Sequence, residues 1–201
     1  MSAIYYHGTS ADHLEDILKN GLRAGEKNWT VSEDDSVYFW SPKELAKANC
    51  EDYDSEPRQF HDDAFQRASD SAMFAVATAK DCRRIVVEVE LEDDEVSPDY
   101  SCLNMGGAVA TRNEEGLVPT SKIRTIWIDG EDLSILRGYF LGMRISREND
   151  LGMEVDISPI EREVARMMLK NESRNLIDLV CDLCWNMKKI YLSGTLPDFI
   201  D

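Results

Sequence analysis

Three short segments of the sequence carry side chains that could hold a ligand and act on it. YYHGTS places His7 just before a Gly-Thr turn, where an imidazole nitrogen can donate or accept a hydrogen bond. SVYFW contains Tyr38, whose flat ring offers a large contact surface. NEEGLVP carries the adjacent carboxylates Glu114 and Glu115, and a fixed carboxylate can stabilise positive charge that develops during a reaction. Each segment alone is weak evidence for a ligand site, and the three segments in this order along the chain are stronger evidence.

Composition argues against several other kinds of site. The 22 basic and 39 acidic side chains give a net charge of −17, which disfavours a broad surface for nucleic acid and suits a basic protein partner. Cys181 and Cys184 form a single CxxC without a second pair or a nearby histidine, so we expect no metal site. The sequence also contains no Walker loop and no Ser-His-Asp pattern.

The chain has no feature of a membrane or secreted protein. No apolar run reaches the about 18 residues that cross a bilayer, and MSAIYYHGTS lacks the basic head and apolar run of a secretion signal. An odd set of five cysteines favours reduced thiols. We therefore expect a soluble, cytoplasmic protein that makes no membrane contact.

The elements that must position the three segments alternate between short strands and helices. The β-favouring residues 3–7 predict a strand, and the apolar spacing after Ser10, taken as an N-cap, predicts a helix that ends before Gly21. The polar residues 92–113 predict a loop. Further strands are predicted over 36–40, 83–92, 115–119 and 122–129, and further helices over 42–53 and about 60–79.

From about residue 132 the apolar spacing becomes helical. Ser158 and Pro159 begin one predicted helix, and residues 173–191 carry the apolar stripe of another. The sequence therefore predicts an α+β protein with two parts, a core domain over residues 1–131 and a helical C-terminal extension over 132–201 that packs on it.

Taken in order, the three segments resemble the ADP-ribosyltransferase superfamily, in the His-Tyr-Glu branch that includes poly(ADP-ribose) polymerase catalytic domains and diphtheria-type toxins. YYHGTSADHLEDILKNGL is similar to the family's His-Gly-Ser/Thr motif with its downstream Gly-Phe/Leu. SVYFWSPKELAKANC is similar to its Gly-[IV]-Tyr-Phe-Ala strand, and NEEGLVPTSKIRTIWI to its Glu-x-[IL]-Val strand. The resemblance covers residues 3–129 and implies a split β-sheet core with flanking helices that binds NAD.

The resemblance implies a role for each matched residue. His7 would hydrogen-bond the adenosine-side ribose of NAD, and the backbone of Gly8 and Thr9 would face the nicotinamide amide. Tyr38 would pack on the nicotinamide end. Glu115 would accept a hydrogen bond from the nicotinamide ribose and stabilise the oxocarbenium-like cation that forms as nicotinamide leaves.

Other positions resemble the family less closely. Glu114 competes with Glu115 for the catalytic role, because it preserves an Asn-Glu adjacency seen in some members, but Glu115 fits the spacing of the following strand better. Asn113 stands where related transferases carry a Glu or Gln that orients the acceptor, so Asn113 and Glu114 are expected to contact the acceptor. Arg23 could bind the NAD pyrophosphate.

Two departures from the family's pattern concern the nicotinamide end. The glycine expected before the tyrosine strand is Ser36, and the tyrosine expected in the following helix is absent. Tyr53, one turn later, could substitute for that tyrosine.

The resemblance therefore implies an NAD-dependent mono-ADP-ribosyltransferase with a macromolecular acceptor. The acidic start of the loop 92–113 favours a protein acceptor over nucleic acid. Two alternatives stay open. The missing Gly and Tyr would fit a protein that binds NAD or ADP-ribose without turnover or acts as an acidic inhibitor. An RNA 2′-phosphotransferase shares the fold and the opening motif, but that branch needs arginines to grip the RNA phosphate.

Overall fold

The protein is built around an antiparallel β-sheet. The computed structural model describes residues 2–25, 36–41, 64–99, 110–130 and 187–192, together with positions 132, 137, 138, 141, 142, 145 and 159. In chain order the strands and α-helices of these residues are β1 (Ser2–Ser10), α1 (Leu14–Asn20), β2 (Leu22–Arg23), β3 (Val37–Trp40), α2 (Ala64–Val76), β4 (Arg84–Glu92), β5 (Ser97–Pro98), β6 (Ala110–Asn113), β7 (Leu117–Val118), β8 (Ile123–Asp129) and β9 (Met187–Leu192).

Seven of these strands form one sheet in the order β5-β6-β3-β1-β4-β8-β9, and β2 and β7 form a second, two-stranded sheet. Every strand pair found in the described residues is antiparallel. The mixed α+β class predicted from the sequence is confirmed. In the described ranges, no helix combines the length and apolarity needed to cross a membrane.

Helix α2 covers one face of the large sheet. Because side chains alternate between the two faces of a strand, Tyr6 and Trp40 point towards α2 while their neighbours point away. The Tyr6 ring meets Phe65 edge-on with ring centroids 6.0 Å apart, and Trp40 Nε1 donates a hydrogen bond of 2.7 Å to Ser71 Oγ. The sheet is therefore anchored to the helix by aromatic side chains of two strands.

The opposite face carries the main apolar core. It joins the large sheet to α1 and to the two-stranded sheet through the buried side chains of Tyr5, Ile17, Leu22, Val37, Phe39, Ile85, Val87, Val89, Leu91, Val118, Ile123, Ile126 and Ile128. The spacing of Val87, Val89 and Leu91 in RRIVVEVELE predicts that they share one face of the strand, and this is confirmed because all three belong to the core. Full burial of such side chains stabilises a fold by about 1.5–3 kcal/mol each.

An ion pair is buried where β4 begins and β8 ends. The side chains of Arg84 and Asp129 are 1% and 3% exposed, and Arg84 Nη2 lies 2.7 Å from Asp129 Oδ1. Arg84 Nε and the Arg84 backbone N–H both donate to Asp129 Oδ2 at 2.8 Å, and Arg84 Nη1 donates to Ser69 Oγ of α2 at 3.1 Å. The pair therefore fixes two strands and a helix at one point.

Several predicted elements need correction. The helix predicted over residues 173–191 is wrong at its C-terminal end, because Met187–Leu192 form strand β9 along the edge of β8. The apolar spacing continued into this segment, but pairing with β8 is a tertiary contact that overrides it. The loop predicted over 92–113 contains the short strands β5 and β6. The helix predicted over 42–53 lies outside the described residues.

The first helix begins later than predicted. Ser10 is still extended, its side chain makes no capping hydrogen bond, and a 3-10 turn over Ala11–His13 precedes α1. The predicted helix end is confirmed at Gly21, whose φ of 83° lies in the left-handed region that favours glycine. The helix predicted over about 60–79 is confirmed as α2.

Gly8 should not tolerate a side chain. A Cβ atom built on Gly8 would lie 1.8 Å from the backbone oxygen of Ala68 in α2. The Gly8→Ala variant should therefore push the helix away from the sheet and lower the free energy of unfolding by about 1–3 kcal/mol. Urea denaturation measures the change. Gly25→Ala is the matched control, because none of the residues that the structure describes lies within 4 Å of its Cβ position. Equal stability of the two variants would contradict the close packing.

Candidate functional site

His7 lies where two neighbouring strands part. Strand β1 pairs with β4 from Ser2 to Ser10, but within the described residues it pairs with β3 only through Tyr6 and Trp40. In an antiparallel ladder alternate residues direct their N–H and C=O groups to the same neighbour. Two of the four residues His7–Ser10 therefore direct backbone donors and acceptors towards the opening between β1 and β3.

One nitrogen of the His7 ring is bound, and the described residues supply no hydrogen bond to the other. Its Nδ1 lies 2.8 Å from the carbonyl oxygen of Tyr38. A carbonyl oxygen can only accept, so Nδ1 carries the hydrogen and donates it. Burial lowers the pKa of His7, and this outweighs the opposing effect of the Tyr38 carbonyl, so the ring is neutral near pH 7. Nε2 is then a hydrogen-bond acceptor, and no described residue donates to it.

The lowered pKa of His7 should make stability depend on pH. As pH falls below about 6.5, the unfolded chain binds a proton that the folded protein does not, so the free energy of unfolding decreases until the folded pKa is reached. A His7→Gln variant should lack this part of the decrease. Urea denaturation of both proteins at about pH 7.5 and about pH 5.5 measures it. Equal decreases in the two proteins would show that His7 titrates as it does when unfolded.

Tyr38 does not present its side chain to the same space as His7. Tyr38 alternates with Phe39 on β3 and lies on the face of Trp40, which contacts α2. The ring next to His7 is that of Phe39, with centroids 6.1 Å apart. The structure thus brings the Tyr38 carbonyl to His7, but it separates the two side chains that the sequence analysis grouped. Phe39 was missed, although the alternation within VYFW could have indicated it.

Gly8 and Thr9 have different surroundings. The Cβ direction of Gly8 points at α2, so its lack of a side chain allows a helix to approach the strand. Thr9 is buried and pairs with Ile85 of β4, and it lies on the same face of β1 as His7. A ligand could therefore reach these residues at the strand edge that faces β3.

A tight turn after β6 carries the two adjacent glutamates. The Gly116 N–H donates to the Asn113 carbonyl oxygen at 3.3 Å, and Gly116 has a left-handed φ of 67°. Glu114 is bound at the surface, where its Oε1 accepts from Ser97 Oγ at 2.8 Å and from Arg112 Nη2 at 3.2 Å. Glu115 is exposed, and no hydrogen bond or ion pair to it is found among the described residues.

Asn113 is buried beneath this turn. It pairs with Val37 of β3, so its side chain lies on the core face of the sheet, as the side chain of His7 does. Its Nδ2 donates to the Glu95 carbonyl oxygen at 3.1 Å. Its Oδ1 is buried and accepts no hydrogen bond within the part of the chain that the structure describes.

The two-stranded sheet brings Arg23 next to the same turn. Arg23 pairs with Leu117, and the N–H of Ala24 donates to the Gly116 carbonyl oxygen at 2.8 Å. Arg23 and Leu117 are both exposed, and paired residues project to the same side. The predicted pyrophosphate contact of Arg23 would therefore be made beside Glu115. Tyr53 lies outside the described residues.

In the described ranges no group of three or more His, Cys, Asp or Glu side chains is suited to holding an ion. The groups that could contact a ligand are the His7 acceptor, backbone amides of β1 and the Glu115 carboxylate. Comparison of the chain with models of known protein families and with curated proteins finds no match to either.

Proposed function

We propose that the protein is an NAD-dependent mono-ADP-ribosyltransferase. The observation that carries this proposal is the neutral His7, whose Nδ1–H is held by the Tyr38 carbonyl so that Nε2 remains an acceptor at the opening between β1 and β3. A ribose hydroxyl can donate to that nitrogen without meeting a positive charge. The proposal also rests on the resemblance of the three segments that contain His7, Tyr38 and Glu115.

The open edge of β1 suits the carboxamide of nicotinamide. A carboxamide has one acceptor and two N–H donors, so it can pair with the N–H and C=O of a single residue as an added strand does. Backbone groups of the segment His7–Ser10 that point towards β3 can supply that pair. The net charge of −17 repels an anionic dinucleotide, so NAD must be held by local contacts such as these hydrogen bonds to its carboxamide.

Glu115 has the environment that the reaction requires. In the transfer step the bond between ribose C1′ and nicotinamide nitrogen breaks, and its electron pair leaves with nicotinamide, which becomes neutral. The acceptor then forms a bond to C1′ and loses a proton. Glu115 stabilises the cationic ribose between these events. Its carboxylate is available because Glu114, and not Glu115, is tied to Ser97 and Arg112.

The acceptor is expected to be a basic protein segment. The acidic turn Asp93–Glu95 is joined to the glutamate turn through the Asn113–Glu95 hydrogen bond, and Ser97 joins it to Glu114. The exposed acidic side chains of both turns therefore border the same surface. Such a surface attracts lysine- and arginine-rich segments and repels nucleic acid.

A second candidate function is NAD binding without turnover. It is favoured by the position of Tyr38, whose side chain lies on the opposite sheet face from His7, so one expected nicotinamide contact is missing. If the site binds the dinucleotide but holds nicotinamide poorly, the rate of transfer should decrease more than the affinity for NAD.

Incubation with NAD labelled on the adenylate, together with a cell lysate, tests the proposal. The wild-type protein should transfer label to protein and release nicotinamide, and His7→Ala should do neither at the same NAD concentration. Bound NAD with no transferred label would support the second candidate. Failure of the wild type to bind NAD in calorimetry would eliminate both functions.

A further inference from the structure

We infer that Asn113 holds the nicotinamide-side ribose of the dinucleotide and does not contact the acceptor. This inference rests on the proposed function and deepens it, because it assigns the buried amide a ligand group of stated chemistry. The ligand group is a ribose hydroxyl, which donates a hydrogen bond to Asn113 Oδ1.

Burial separates Asn113 from a macromolecular acceptor. The residue is 3% exposed, whereas Glu114, the next residue, is 62% exposed in its side chain. An acceptor protein that docks on the turn meets the glutamates first. Because Oδ1 itself is buried, a group that reaches it must be as small as a hydroxyl, and the side chains that cover it must move to admit the ribose.

The amide of Asn113 is oriented for accepting. Its Nδ2 donates to the Glu95 carbonyl oxygen at 3.1 Å, which fixes the side chain so that Oδ1 points elsewhere. Within the described residues Oδ1 accepts no hydrogen bond, although it is buried. Most buried polar atoms are hydrogen-bonded, because an unpaired buried acceptor is unfavourable. A ligand that donates a hydrogen bond to Oδ1 would remove the free-energy cost of leaving this buried acceptor unpaired.

The position of Asn113 relative to His7 suits the two riboses of one dinucleotide. Both side chains lie on the core face of the sheet, on β6 and β1, with only β3 between these strands. Neighbouring strands lie about 4.8 Å apart, so β1 and β6 are separated by about 10 Å, and by more where β1 and β3 part. His7 Nε2 and Asn113 Oδ1 are both acceptors, and hydroxyl groups on two parts of one ligand can donate to them.

Glu115 determines which hydroxyl is left for Asn113. Glu115 is two residues from Asn113 in the same turn, and in the proposed mechanism its carboxylate acts beside the cationic C1′ of the nicotinamide ribose. The 2′-hydroxyl is on the carbon next to C1′, so it is the hydroxyl that Glu115 can reach from there. The 3′-hydroxyl is the adjacent donor on the same ring. We therefore assign the 3′-hydroxyl to Asn113 Oδ1.

Paired measurements of affinity test the assignment. Calorimetry gives the Kd of wild type and of Asn113→Leu for NAD and for the NAD analogue that lacks the 3′-hydroxyl of the nicotinamide ribose. Removal of either partner should weaken binding by about 10- to 100-fold, and removal of both should weaken it no further. Additive losses, or equal affinity of the wild type for both ligands, would overturn the assignment.

Controls separate this inference from the proposed function and from a folding defect. Asn20→Leu, at an exposed asparagine of α1, should bind both ligands as the wild type does. Thermal unfolding without ligand checks each variant, and Asn113→Ala replaces Asn113→Leu if the latter is unfolded. If the wild type binds NAD and the Asn113 variant binds it equally well, the inference alone fails. If the wild type does not bind NAD, both fail.

Discussion

A Glu115→Gln variant should transfer ADP-ribose about 10²- to 10³-fold more slowly than the wild type while its Kd for NAD changes little. Glutamine keeps the size and an acceptor oxygen of the glutamate, but it removes the negative charge that stabilises the cationic ribose. The charge acts mainly after the bond to nicotinamide begins to break, so its removal should lower the rate of transfer and leave the affinity for NAD nearly unchanged. Transfer of labelled ADP-ribose and calorimetry with NAD measure the two quantities.

Glu114→Gln is the matched control for Glu115. Glu114 is the adjacent residue and is held at the surface by Ser97 and Arg112, so the variant should keep transfer within about threefold of the wild type under conditions that saturate NAD. The reverse result, with activity lost in Glu114→Gln and kept in Glu115→Gln, would move the catalytic role to Glu114. Equal transfer rates in the wild type, Glu114→Gln and Glu115→Gln would show that neither glutamate of the turn takes part in catalysis.

An Asp129→Ala variant should lose about 3–5 kcal/mol of unfolding free energy, which is the largest effect on stability that we expect. The change takes the Asp129 carboxylate away from the buried Arg84 guanidinium, and it also removes the acceptor of the Arg84 backbone N–H. Urea denaturation followed by circular dichroism measures the loss.

Two further variants show whether burial causes that loss. Arg84→Met combined with Asp129→Leu removes both charges, and we expect it to be more stable than Asp129→Ala. Glu15→Gln breaks the exposed pair with Lys19 on α1, and it should change the free energy of unfolding much less than Asp129→Ala does. A loss in Asp129→Ala as small as that in Glu15→Gln would contradict a strong dependence on the buried pair.

The sequence predicted the elements whose signal is local. Alternating valines marked β4, and Gly21 marked the end of α1, because these patterns depend on near neighbours alone. Strand β9 could not be predicted in this way. Its residues continue the apolar spacing of a helix, and only the free edge of β8, distant in sequence, makes them a strand.

The sequence grouped the residues of the expected site but did not indicate their strands or orientation. It placed the glutamates at the start of a strand over 115–119, whereas they lie in the turn after β6, and β6 falls where a loop was predicted. The sheet places β1, β3 and β6 side by side. The sequence did not indicate which face of β3 packs against α2. In the structure Trp40 faces α2, so Phe39 and not Tyr38 lies beside His7. The unpaired oxygen of Asn113 depends on Glu95, a contact that no local pattern encodes.

The parting of β1 and β3 makes the His7 side chain part of the connection between two groups of strands. Strands β5, β6 and β3 lie on one side of this seam and β1, β4, β8 and β9 on the other, and in the described ranges a single residue pair, Tyr6 and Trp40, joins their backbones. The His7 side chain supplies a further link across the seam by bonding the Tyr38 carbonyl, so an imidazole takes the place of a main-chain rung. The same residue thus belongs both to the pairing of the sheet and to the proposed ligand site.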